Sequence, residues 1–119
     1  MYWVHAHDAE ITEPAPGIQN QVLIDGRPGV GSQHIALVRA RYGPGVAFSE
    51  HVHDVEEAFI VVKGEALSVI NGQSRRLKGG DAALVPANVP HVLSNASQTE
   101  DLIVVGAFAA SKIVRRPVT

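Results

Sequence analysis

His51 and His53 are separated by one residue, and Glu57 follows four positions later. On a strand, residues two apart share a face with Cα atoms about 6.7 Å apart. Two imidazoles leaning together from that distance can share one metal ion at about 2.1 Å. Glu57 would lie about 13 Å from His53 on a straight strand, too far for the same ion. The chain must therefore turn between them, and Asp54-Val55-Glu56 is the place for it. Glu56 is the rival carboxylate, but only Glu57 keeps the parity of the histidines. His91 is distant in sequence and can join the group only if the sheet closes on itself. Any one of these histidines alone would read as a buried, hydrogen-bonded side chain; together they read as ligands. Imidazole and carboxylate donors suit one divalent transition metal ion such as Fe, Mn, Ni, Co or Zn.

The elements that must position them are strands. Short β-branched runs are broken every few residues by Gly, Pro, Asn or Asp, which is an all-β pattern. Strands are expected over 21–25, 34–42, 57–63, 66–70, 74–77, 82–85, 91–94 and 102–108. Asn71-Gly72 reads as a two-residue hairpin turn, since both residues tolerate positive φ. The alanines near Phe108–Ser111 allow a short C-terminal turn of helix. Residues 57–63 and 102–108 are apolar at both parities, so both strands are expected to be covered on both faces. The expected cover is a second copy in a homodimer, with the chain's own first 20 residues as the alternative.

The 119 residues fit one domain spanning 1–119. A chain of that length buries roughly two-thirds of its unfolded surface, enough for a core without staples. A net charge of -2 attracts neither nucleic acid nor an anionic membrane. The 0 cysteines exclude disulfides and thiolate ligands. The start Met1-Tyr2-Trp3-Val4-His5 lacks a signal peptide's basic start and apolar run, and no apolar stretch approaches the ~20 residues of a membrane helix. A cytoplasmic location is expected.

Residues 45–64 read Gly45-x5-His51-x-His53-x3-Glu57-x6-Gly64, which resembles the first motif of the small single-domain cupins. Residues 80–95 read Gly80-x5-Pro86-x-Asn88-x2-His91-x3-Asn95, similar to the second motif with one departure. Asn88 stands where that family usually has Gly, and Asn is the most tolerant substitute where φ is positive. The resemblance implies a jelly-roll barrel, also described as a double-stranded β-helix. It also implies that His51, His53, Glu57 and His91 bind a metal inside it. Metal ligands must be deprotonated, so affinity is expected to fall as pH drops through about 6–6.5.

Other residues carry weaker signals. Arg39 and Arg41 share a strand face and would clamp a substrate carboxylate if that face lined the barrel, the alternative being a solvated face. Phe48, Phe59 and Leu93 read as pocket walls or core. His5-Ala6-His7 lacks a partner pattern, and His34, Arg75-Arg76 and Arg115-Arg116 read as surface.

By resemblance, the expected activity is that of a metal-dependent enzyme on a small-molecule substrate, with oxygenase-like chemistry ranked first. A non-redox isomerase, lyase or cyclase at the same metal is the nearest alternative. A closed structural Zn site and a non-catalytic binding domain are further ones. Cupin-like sensors usually accompany a helix-turn-helix, for which the strand pattern leaves no room.

Overall fold

A computed structural model describes residues 1–118. Eleven strands run in chain order. They are β1 (Thr12–Ala15), β2 (Ile18–Ile24), β3 (Ala36–Tyr42), β4 (His51–Val52), β5 (Glu57–Lys63), β6 (Glu65–Ile70), β7 (Gln73–Lys78), β8 (Ala82–Val85), β9 (His91–Asn95), β10 (Leu102–Phe108) and β11 (Arg116–Pro117). They form two antiparallel sheets, in the orders β1-β2-β3-β10-β5-β8 and β11-β4-β9-β6-β7. This is an all-β jelly-roll barrel, the fold that the two motifs implied.

The connections follow local chemistry. Asn71 (φ 51) and Gly72 (φ 76) form the left-handed pair of the β6–β7 hairpin, closed by the Ile70 and Gln73 pair. Gly64, between β5 and β6, has φ 93, and a Cβ there would meet the Asp101 carbonyl oxygen at 2.5 Å. Only glycine fits that close approach.

Inward residues of the first sheet supply most of the core: Ile18, Ala40, Tyr42, Val61, Leu102 and Val104, joined by Ala66 of the second. On β5, Phe59 and Val61 point inward and are buried, while Ala58, Ile60 and Val62 point outward and are exposed. The expectation that both faces of this strand are covered is not met within the chain. The first residues pack elsewhere: the Gln21 amide nitrogen Nε2 donates to the carbonyls of Ala6 and Ala9, tying a 3-10 turn (Ala6–Asp8) to β2, four strands from β8 in its sheet.

Three short strands, β1, β4 and β11, were not foreseen, because two to four residues carry too little periodicity. Where a C-terminal helical turn was allowed, Phe108 closes β10 and residues 109–112 are bends. Among the described residues no helix is long and apolar enough to cross a membrane.

Candidate metal centre

The three histidines come from one sheet and the carboxylate from the other. His51 on β4 pairs directly with His91 on β9. His53 follows β4, held there by Asn88, whose N–H donates to the His53 carbonyl at 2.7 Å. The chain then crosses to the first sheet through Asp54–Glu56, the turn required by the spacing. Glu57 opens β5, between Phe108 of β10 and Val85 of β8.

Ring centroids lie 4.4 Å apart for His51 and His91, 4.9 Å for His51 and His53, and 5.3 Å for His53 and His91. Each Nδ1 contacts a backbone carbonyl: Ser49 at 2.8 Å for His51, Val114 at 2.8 Å for His53, and Val89 at 2.9 Å for His91. A carbonyl oxygen only accepts, so each Nδ1 carries a proton, and in the neutral ring the lone pair is then on Nε2, the tautomer a metal ligand needs. One ring nitrogen from each lies within 4.8 Å of the others, and all three side chains are buried. The three histidines could hold a metal ion.

Glu57 Oε1 lies 3.3 Å from His91 Nε2 and 3.6 Å from His53 Nε2. Neither contact has hydrogen-bond geometry, and His91 Nε2 is a buried nitrogen without a hydrogen-bond partner. Such a group is costly unless something else satisfies it.

Burial pushes the His51 pKa down to about 4, outweighing the Ser49 carbonyl that favours its charged form. Burial likewise lowers His53. His91 is also pulled down by burial, but the Glu57 carboxylate and the Val89 carbonyl outweigh it, and the net shift is upward. Burial, reinforced by Glu57, raises the Tyr42 phenol and keeps it neutral.

These groups line a cavity of about 70 Å³, room for on the order of five waters. Its walls include Phe48, Phe59, Leu93, Val104 and Phe108. Phe108 meets His53 edge-on at 4.9 Å, and Phe48 lies 5.2 Å from His51. Phe48, Phe59 and Leu93, read as pocket walls or core, line this cavity and also pack with the core.

Arg39 and Arg41 do not, and the substrate-clamp reading of this pair is corrected. On β3 the inward parity belongs to Val38, Ala40 and Tyr42, so residues 39 and 41 face outward. They line a separate surface cleft with Ile11, Gln19 and Gln21. Arg39 Nη1 donates to Gln21 Oε1 at 3.4 Å, and Arg41 lies 3.6 Å from Asp101.

Three polar lining residues escaped the sequence reading: Asn20, Tyr42 and Arg115. Arg115 belongs to a dipeptide read as surface charge. Both are exposed, as read, but Arg115 also borders the cavity, while Arg116 contacts Asp54 at 2.5 Å and Asn88 at 3.0 Å. No periodic signal distinguishes them in a segment of two paired residues.

The chain belongs to the cupin family: residues 38–107 match the Cupin domain. It is similar to the HTH-type transcriptional regulator PuuR of Escherichia coli (strain K12), 30% identical over 82 residues, which are 68% of this chain and 43% of that protein. The chain thus spans less than half of that relative's length. Among solved structures it resembles the polyketide cyclase RemF from Streptomyces resistomycificus, with TM-score 0.83 and 21% identity over 100% of this chain and 86% of that one. It also resembles an oxalate decarboxylase formate complex from Lactobacillus farciminis, with TM-score 0.85 and 21% identity over 96% of this chain and 35% of that one. At these identities the structural likeness speaks for the fold.

Proposed function

We propose that the chain is a metal-dependent enzyme acting on a small organic molecule, with His51, His53, Glu57 and His91 holding one divalent first-row ion. The observation that carries this is the convergence of three imidazole nitrogens, each ring oriented by a backbone carbonyl, beside a carboxylate and inside an apolar cavity. Glu57 supplies the carboxylate, since its oxygen already sits against two of the rings.

An ion there supplies Lewis acidity and, when redox-active, the electrons for an oxygenase-like reaction, the chemistry ranked first. The chain's own residues do the rest. The carbonyls of Ser49, Val114 and Val89 fix the rings, the aromatic walls keep water from the reacting atoms, and the neutral Tyr42 phenol offers a hydrogen bond. The cavity admits a substrate of a handful of non-hydrogen atoms.

The test is oxygen uptake by protein loaded anaerobically with Fe(II), against catechols, diketones, thiols and hydroxy acids. Uptake with one class supports the oxygenase reading. Tight binding of one compound without turnover supports a binding domain, the reading favoured by likeness to a transcriptional regulator. Turnover without oxygen uptake supports a non-redox cyclase, lyase or isomerase, as the likeness to a polyketide cyclase suggests.

A homodimer is part of the same proposal. Ile60, Val62 and Leu84 are 42%, 55% and 58% exposed on the outer face of adjacent strands. Contiguous exposed apolar area of this kind marks an interface. Light scattering is expected to give twice the chain mass at micromolar concentration; a monomer contradicts the dimer.

A further inference from the structure

We propose that Arg115 is the residue that selects an anionic substrate, its guanidinium receiving a carboxylate at the mouth of the metal cavity. The inference rests on the metal-centre reading above and names the substrate class for it.

Position is the first argument. Arg115 lines the same cavity as the three histidines, and its guanidinium carbon stands 4.8 Å over the ring of Phe48, which itself packs on His51. The backbone around it is fixed on both sides. The Val114 carbonyl accepts from His53 Nδ1, and Arg116 binds Asp54 and Asn88 while its strand pairs with β4. The Arg115 backbone is therefore anchored beside the cavity, with its guanidinium over Phe48.

The second argument is what Arg115 lacks. Arg27, Arg41, Arg76 and Arg116 each have a carboxylate within 4.0 Å. Among the described residues, Arg115 has neither an ion pair nor a hydrogen bond. Burial lowers its pKa, opposed by the fields of Tyr42 and Glu57, yet an arginine stays charged. An exposed guanidinium with no protein partner, stacked on an aromatic face, is matched by a carboxylate presenting two oxygens. A neutral ligand offers no such charge-assisted, two-pronged pair. Glu57 does not fill this role: its Oε1 is turned to His53 and His91.

The test compares matched ligands by NMR titration. Lactate and malonate are titrated beside lactamide and malonamide, into wild type, Arg115→Met and Arg115→Lys, each metal-free and Zn-loaded, with bound metal assayed separately. Wild type is expected to prefer one of the carboxylates over its amide by about 10- to 100-fold, the value of hydrogen bonds to a charged group. Arg115→Met should lose that preference with unchanged metal content and thermal midpoint, and Arg115→Lys should keep only part of it. Equal preference in wild type and Arg115→Met, or none in wild type, overturns the inference. Failure of wild type to take up metal contradicts the metal centre instead, while the metal-free titrations still report on Arg115.

Discussion

Glu57 Oε1 lies 3.3 Å from His91 Nε2, a contact between opposite sheets that sets the two residues' electrostatics together. The carboxylate favours the imidazolium form of His91, whereas His51, paired directly with His91, is held neutral by burial. The histidines of one centre therefore titrate in opposite directions from the ordinary value.

That split determines how metal affinity depends on pH. His51 is already neutral far below neutrality, so it does not compete with the ion. His91 keeps its proton above pH 6.5 and must release it to bind. Affinity should therefore climb about tenfold per pH unit up to a plateau above 6.5, rather than levelling off within the ordinary histidine range. Glu57→Gln removes the charge that favours the proton and should move the step downward while weakening binding overall. Zn titrations between pH 5.5 and 8.5 measure both; affinity independent of pH across that range is the contrary result.

The metal-free protein should show the opposite side of the same linkage. A histidine whose folded pKa is depressed to about 4 contributes stability that is fully present above about 6.5 and lost as pH falls towards 4. The raised His91 contributes in the other sense, with stability present below 6.5 and lost as pH rises through its folded value. His51→Gln should therefore flatten the fall in thermal midpoint between pH 6.5 and 4, by on the order of 5 °C. An unchanged slope in calorimetry contradicts the assignment.

Asn88 has φ 64, the left-handed conformation inferred for this departure from the family motif. Its N–H holds the His53 carbonyl and its Oδ1 accepts from Arg116 at 3.0 Å. Asn88→Gly keeps the backbone geometry and should be nearly neutral. Asn88→Val puts a β-branched side chain at positive φ and should cost on the order of 2 kcal/mol. Urea unfolding of the two variants measures the difference, and a Val variant as stable as wild type rules out the strain.

Asn95 is buried at the end of β9. Its Nδ2 lies 3.1, 3.0 and 2.7 Å from the carbonyls of Tyr42, Gly43 and Glu100, and its Oδ1 accepts from the Ser97 N–H at 2.9 Å. One side chain thus ties β9 to the end of β3 and to the loop before β10. Asn95→Leu leaves those groups without partners and should destabilise by about 3 kcal/mol. A loss below 1 kcal/mol in denaturant unfolding shows that water replaces the amide without difficulty.

What the sequence made legible followed from short-range rules. The alternation of His51 and His53, the need for a turn before Glu57, and the Asn71-Gly72 hairpin depend only on strand parity and turn chemistry. The resemblance to two ordered motifs then implied the barrel that brings His91 across. Arg39 and Arg41 stayed open between a substrate clamp and a solvated face because their common face was visible but its direction was not: parity says which residues share a side, and only the packed sheets say which side is inward. Arg115 was hidden for a related reason. Its role depends on where a terminal segment lands against His53 and β4, a long-range pairing that leaves no periodic trace. The uncovered outer face of β5 shows the converse, since its apolar residues were legible but their cover was not.

Metal content of protein purified without chelator tests the central claim most directly, with wild type set beside a His51→Ala/His91→Ala variant of verified fold. About one first-row ion per wild-type chain and almost none in the variant is the result expected if the imidazoles and Glu57 converge on a shared ion. The same content in both proteins, whether negligible or full, contradicts it.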